Sequence, residues 1–167
     1  PAALSRADGV LLTRADRATA EELAAARRAC AAQSDAPIWE ATHAPVAVRD
    51  EASGARRDLA ELAGCPVGAL SALADNGAFA ASLLNCGALV TATAARRDHH
   101  FWTEQEVRRF AQRSQAAGGR ALVTTEKDAV KIHAGWAPPL PLWSLQIALQ
   151  VAEETGLYER IRETLES

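Results

Sequence analysis

The chain has 167 residues, of which 49% are hydrophobic and 5% aromatic, with 18 basic against 21 acidic side chains for a net charge of −3. That length and apolar content suit one domain or two small ones with a core resting mainly on Ala, Leu and Val, and they exclude a disordered tail. The near-balanced charge, with basic runs no longer than a pair such as Arg96-Arg97, excludes a nucleic-acid surface built on a basic run.

In chain order, GVLLT (Gly9 to Thr13) is a short apolar run bounded by polar residues and predicts a buried strand. The segment RADRATAEELAAARRACAAQ predicts a helix, with Thr19 ahead of the first-turn acids Glu21 and Glu22. APIWEATHAP predicts a second strand closed by Pro45, Val46 to Gly54 a polar linker, and ARRDLAELAG a short helix. PVGALSAL is a third strand, NGAFAASLLNCG the helix after it, and GALVTATA a fourth strand. TEQEVRRFAQRSQAAGG carries a capping box, Thr103 with Glu106, and ends in Gly118-Gly119. RALVTT is a fifth strand, PPLPLWSLQIALQV a sixth extended run, and EETGLYERIRETLES an amphipathic C-terminal helix.

Strands alternating with helices imply βαβ units and a mainly parallel sheet flanked by helices, a three-layer α/β/α, Rossmann-like class. Ligands of such sheets sit outside the carboxyl ends of the strands. Cys30, Cys65 and Cys86 are far apart with no C-x-x-C pair, which predicts reduced thiols, neither a disulfide framework nor a zinc site. No apolar window reaches the roughly 18 residues of a spanning helix and no signal peptide opens the chain, so the expected setting is cytoplasmic, with contact to a membrane surface left open. The chain contains no Met and begins at Pro1, which fits either a trimmed start or a segment of a longer protein.

LVTTEKDAVKI, Leu122 to Ile132, places Thr125, Glu126, Lys127 and Asp128 at the exit of a buried strand. In one reading Thr125 caps a short helix, Glu126 and Asp128 suit its N-terminus, and Lys127 is solvated. In the other, a cation beside exposed backbone N–H groups forms a phosphate or anion site. Asp98, His99 and His100 lie between a strand and a capped helix. An Asp beside a His can act as a general base, and adjacent His side chains diverge, so one of them serves a site; the alternative is a surface loop with an imidazole packed on the helix start. A divalent-metal phosphoesterase site also contains D-H-H but needs further paired aspartates. Here Asp8, Asp16, Asp50 and Asp75 are scattered with no D-x-D, which weighs against that reading. LLTRAD puts Thr13, Arg14 and Asp16 at the end of the first strand, loosely similar to a base-reading N-K-x-D, against the alternative that Asp16 or Thr19 is a helix cap. No G-x-x-x-x-G-K-[ST], G-x-G-x-x-G or G-x-S-x-G occurs in these residues.

Taken in order, DGVLLTRAD, PIWEATHAP, DHHFWTEQEV, ALVTTEKDAVKI and PLPLWSLQIAL resemble the C-terminal half of the tetraacyldisaccharide 4'-kinases, the lipid A 4'-kinases of Gram-negative bacteria. The resemblance runs the length of the chain. It implies an ATP- and Mg²⁺-dependent phosphotransferase acting on the 4'-hydroxyl of a tetraacyldisaccharide 1-phosphate in lipopolysaccharide synthesis, at the cytoplasmic face of the inner membrane. Its Walker A loop, catalytic Asp and magnesium-binding acids belong to an N-terminal P-loop half. His99, with Asp98, matches the His that pairs with that catalytic Asp. Thr13, Arg14 and Asp16 would flank the nucleotide, and Thr125, Glu126, Lys127 and Asp128 the substrate or phosphate; no metal ligand is expected here.

The resemblance also implies the partners: ATP, a lipid A disaccharide precursor, the P-loop half and a peripheral membrane contact, with no nucleic acid. Phe101 and Trp102 are candidates for touching acyl chains, with packing under the Thr103 helix as the alternative for at least one. The expected division is residues 1–50 as the last strands of the kinase domain plus linker, 51–137 as a second small α/β domain, and 138–167 as a returning strand and helix. Pro1 matches the proline of an R-E-P-like sequence in the family, so a segment of a longer kinase, inactive alone, is expected. A non-catalytic stand-alone α/β binding module derived from the kinase is the other reading. One departure is the stretch Ser71 to Asp75, where the family has a glycine-bearing C-G-I-G-N-like turn; glycine there would permit positive φ and close ligand approach.

Overall fold

In a computed structural model the described residues are 3–132, 134–136 and 138–166. Pro1, matched above to the family proline, and Ser167, the end of the expected last helix, lie outside them. The chain forms two compact units, one running to Ala44 and resuming at Ala148, the other Pro45–Ile147.

In the first unit β1 (Val10–Thr13) runs parallel to the start of β2 (Ile38–Asp50), from Val10 opposite Ile38 to Thr13 opposite Ala41. Helix α1 (Ala20–Ala31) starts at Thr19, whose hydroxyl accepts from the Glu22 N–H while the Glu22 carboxylate accepts from the Thr19 N–H. That reciprocal cap satisfies two orphan donors, and such caps stabilise a helix by about 1 kcal/mol. The expected C-terminal helix is α5 (Glu154–Glu166), and its Arg160 donates to the Asp8 carbonyl at 2.9 Å.

The second unit holds most of the sheet. Its other strands are β3 (Arg56–Arg57), β4 (Pro66–Ala72), β5 (Leu89–Arg96), β6 (Ala121–Thr125) and β7 (Leu142–Val151), which continues past the unit's end. The order is β2-β7-β6-β4-β5, with β3 antiparallel to the end of β2. Strand β4 is parallel to both β5 and β6, and β6 is parallel to β7. The mainly parallel α/β class is therefore as expected.

Period-two alternation builds three layers in this unit. Val67, Ala69, Val123 and Trp143 face one side, where α2 (Asn76–Asn85) adds Phe79 and Leu83. Leu70, Ala72, Leu122 and Leu142 face the other, where α3 (Glu104–Ala116) adds Val107, Phe110 and Ala111. Burying a side chain the size of Leu70 or Leu122 contributes about 1.5–3 kcal/mol. Helix α3 approaches so closely that a Cβ on Gly68 would lie 2.5 Å from the Ser114 hydroxyl, so β4 needs glycine there.

Two expectations are corrected. Pro45 does not close the second strand: β2 continues to Asp50, and Ala47 and Val48 in the expected linker are buried. The proline falls between the stretch paired with β1, which ends at Ala41, and the stretch paired with β3, which begins at Val48. Proline costs the strand one ladder donor but leaves its extended backbone possible. The polar character of the 46–54 stretch belongs instead to a turn, in which the Asp50 carboxylate accepts from the Ala52 and Ser53 N–H groups. The ARRDLAELAG segment is likewise not one helix, since its first arginines form β3 and only Leu59–Leu62 makes a 3-10 turn, capped by Asp58.

Candidate functional site

The chain leaves β4 toward β5 through α2, then returns across β4 through α3 to reach β6. Connections therefore part at the carboxyl ends of β4 and β6, which is where parallel sheets of this kind offer a crevice. Asp128 fills it. This residue lies on α4 (Glu126–Ala129), the single turn after β6, and is fully buried. Its Oδ2 accepts from the Ala72 N–H at 2.8 Å and from the Thr125 hydroxyl at 3.0 Å, and Lys131 Nζ lies 3.3 Å from Oδ1. Thr125 Oγ1 accepts from the Asp128 N–H, the expected cap. The acid that one sequence reading gave to the helix start thus also ties the end of β6 to the end of β4.

Lys127 and Glu126 point elsewhere. Glu126 Oε2 accepts from the Ile147 N–H of β7 at 3.3 Å. Lys127 Nζ lies 2.6 Å from Asp98 Oδ1, with the pair 44% and 35% exposed. The structure so brings together the two charged motifs, TTEKD and DHH, on one edge of the sheet. Lys127 is half exposed and paired, in contrast to the freely solvated lysine of one sequence reading.

Asp98 opens the turn between β5 and α3. Its Oδ1 also accepts from the His99 N–H at 2.9 Å, and its Oδ2 lies 3.7 Å from His99 Nε2. Lys127's ammonium beside it, aided by the His99 amide, holds the Asp98 carboxyl below the usual carboxylate range. His99 has φ 64 and its side chain is 80% exposed. A left-handed conformation is uncommon for a residue with a Cβ, although His tolerates it better than most. Among the described residues Arg14 and Glu153 are the other non-glycine residues with positive φ. The turn as built presents the imidazole to solvent.

The two histidines separate. His100 stacks edge-on against Trp102, centroids 5.1 Å apart, and its Nε2 is 3.2 Å from the Glu106 carboxylate. Glu106 also accepts from the Thr103 N–H and hydroxyl and pairs with Arg96. Burial pushes its carboxyl up, but bonds from the Thr103 backbone, His100, the Thr103 hydroxyl and Arg96 outweigh that and hold it at about 2. His100 is therefore part of the α3 start, and Trp102 is buried in the core beside it. Phe101, between them in sequence, is 77% exposed and sits 6.0 Å from Lys131 Nζ.

Asn76, which the sequence reading missed, organises the neighbouring wall. Its Oδ1 accepts from the Ser71 hydroxyl and the Leu73 N–H, and its Nδ2 donates to the Leu73 and Arg96 carbonyls. An Asn directly after the helix-capping Asp75, five residues past a strand-end Ser, was the available signal. Beside it an open cleft of about 540 Å³ is lined by Leu73, Asn76, Arg96, Arg97 and Asp98. No residue from Ser71 to Asp75 has positive φ, so this turn does not depend on the glycine that the family pattern carries.

Thr13, Arg14 and Asp16 belong to the first unit. Thr13 ends β1 opposite Ala41, Arg14 has φ 59, and Asp16 lies in the 3-10 turn Ala15–Arg17. The helix cap of one sequence reading is Thr19. Among the described residues no group of three or more His, Cys, Asp or Glu side chains is placed to hold a metal ion. No helix among them is long and apolar enough to cross a membrane.

The profile of the family described as LpxK, Tetraacyldisaccharide-1-P 4'-kinase, matches residues 1–166. The chain is 43% identical over 136 residues to the tetraacyldisaccharide 4'-kinase of Anaeromyxobacter sp. (strain K), covering 81% of this chain and 36% of that protein. It is 31% identical over 171 residues to the same-named protein of Desulfatibacillum aliphaticivorans, covering 97% and 44%. A crystal structure of LpxK from Aquifex aeolicus in complex with ATP matches with a TM-score of 0.56 at 20% identity, covering 93% of this chain and 52% of that one. At that identity the likeness is one of fold. The chain spans 36% and 44% of the two curated relatives' lengths, less than half of either.

Proposed function

The chain belongs to the tetraacyldisaccharide-1-P 4'-kinase family, and from that premise we propose that it is part of an ATP-dependent kinase of lipid A synthesis. The reaction is transfer of the γ-phosphoryl group to the 4'-hydroxyl of a tetraacyldisaccharide 1-phosphate. The bond between the sugar oxygen and phosphorus forms as the bond to the β-phosphate oxygen breaks, ADP leaves, and the hydroxyl proton passes to His99. Phosphoryl transfer draws on positioning and charge stabilisation more than on covalent chemistry. An exposed imidazole with a carboxylate 3.7 Å away is suited to taking that proton.

The observation that supports this reading is the run Lys127–Asp98–His99 at the carboxyl edge of a parallel sheet, in which bonds of 2.6 and 2.9 Å fix the backbone of a residue whose imidazole is exposed. In the proposal Thr125 and Asp128 build the edge, Glu126 and Lys127 border the reacting groups, and Thr13, Arg14 and Asp16 contact the nucleotide's base or ribose. The phosphate-cradling loop and an acidic residue opposite His99 come from the rest of the enzyme. In this reading Mg²⁺ is held mainly there too, and the 167 residues alone transfer no phosphate. The lipid substrate places the site beside the inner membrane's cytoplasmic face. The test is incubation of the full-length gene product with γ-labelled ATP and a tetraacyldisaccharide 1-phosphate. Label appearing at the 4' position supports the reading, and its absence with an intact P-loop half present would count against it.

A further inference from the structure

We propose that Lys127 is a positioning residue for the transfer, holding Asp98 so that the turn carries His99 in its left-handed conformation, and that it does not itself bind a phosphate. The inference rests on the reading that His99 takes part in the reaction. Its basis is the sharing of one carboxylate oxygen. Asp98 Oδ1 takes both the Lys127 ammonium, at 2.6 Å, and the His99 N–H, at 2.9 Å. The second bond forms between adjacent residues and is compatible with the positive φ of His99, a conformation that costs free energy and persists only where its surroundings enforce it.

Lys127 supplies that enforcement from a separate element. It stands on the turn after β6, and that turn is itself fixed to β4 through the buried Asp128. A rigid line therefore runs from the sheet through Lys127 and Asp98 to the His99 backbone. Asp98 in turn cannot orient the imidazole with its Oδ1, which is taken; its other oxygen lies 3.7 Å from Nε2, beyond a hydrogen bond. The other lysine of the segment, Lys131, is committed to Asp128 and the His100 carbonyl, so it does not substitute for Lys127.

A lysine serving a phosphate and a lysine serving Asp98 differ in what their removal changes. We expect Lys127→Met in the full-length gene product to lower kcat about 10- to 100-fold while the KM values for ATP and lipid stay within about twofold. Lys127→Arg should restore most of the activity, and the melting temperature should change little because the pair is partly exposed. Asp98→Asn should give a similar kcat loss, and the double variant should be no worse than the poorer single one, the mark of residues acting as one unit. A KM for either substrate raised more than about tenfold in Lys127→Met, or losses that multiply in the double variant, would overturn the proposal. His99→Ala is measured alongside: if it alone keeps full turnover, the reading of His99 fails, whereas a slow His99→Ala beside a fast Lys127→Met refutes only the positioning role.

Discussion

The Asp128 carboxylate, on the turn after β6, accepts the backbone N–H of Ala72 at the end of β4, 56 residues away in sequence, at 2.8 Å. A fully buried charge is tolerated only when paired and hydrogen-bonded, and Asp128 meets that demand with Ala72, Thr125 and Lys131. Replacing it with Ala leaves a buried amide without its partner and a largely buried lysine without its countercharge. The expected cost is about 3 kcal/mol. Native-state hydrogen exchange checks it: the Ala72 amide should lose its protection in Asp128→Ala and keep part of it in Asp128→Asn. Unchanged protection of Ala72 would show that the bond does not hold the edge together.

Acid should loosen the start of α3 through Glu106. Its carboxyl sits at about 2 in the folded chain against an ordinary value of 4.5. A depressed carboxylate contributes stability that is fully present above its unfolded value and is lost as pH falls from about 4.5 toward about 2. Glu106→Gln should therefore be less stable than wild type near pH 6, by about 1–2 kcal/mol after allowing for solvent. Its unfolding midpoint should fall less steeply below pH 4.5, with Asp98, Asp50 and Glu22, also held low, keeping the remaining acid sensitivity. Parallel acid limbs for the two proteins would remove Glu106 from the account.

What the sequence made legible follows from the range of the forces involved. The Thr103–Glu106 capping box, the Thr125 cap of one reading and the strand of RALVTT are set by neighbours within a few residues, and each stands in the structure. Pro45 was misleading because its missing N–H costs a strand one ladder donor without ending it, and strand neighbours are not local. The same applies to Asp128. Three residues after a capping threonine it reads as a first-turn acid, and only the fold brings Ala72 to it. The DHH and TTEKD motifs were each identifiable singly, but the Asp98–Lys127 bond joins residues 29 apart and gives the lysine a partner that neither sequence reading named. Of Phe101 and Trp102, the sequence could say only that one packs.

Trp102 is that residue, at 4% exposure, and Phe101 at 77% is the one left outward. Val130, 85% exposed, lies on the segment just after α4. If the site works beside a bilayer, these apolar tips are suited to the interface, with Lys131 close to the Phe101 ring. Phe101→Ser in the full-length gene product should weaken binding to vesicles containing anionic lipid several-fold and leave the melting temperature within about 2 °C, as expected for an exposed residue. Equal vesicle binding by wild type and variant would show that Phe101 makes no membrane contact.

The central claim is that the exposed His99 imidazole takes the proton of the sugar hydroxyl. Turnover of the full-length gene product at saturating ATP and lipid, compared between wild type and His99→Ala, tests it most directly. The account predicts a kcat lower by about 10²–10³-fold, the range for loss of a general acid–base group, with the melting temperature retained because the side chain is 80% exposed. Wild-type turnover in His99→Ala would contradict it.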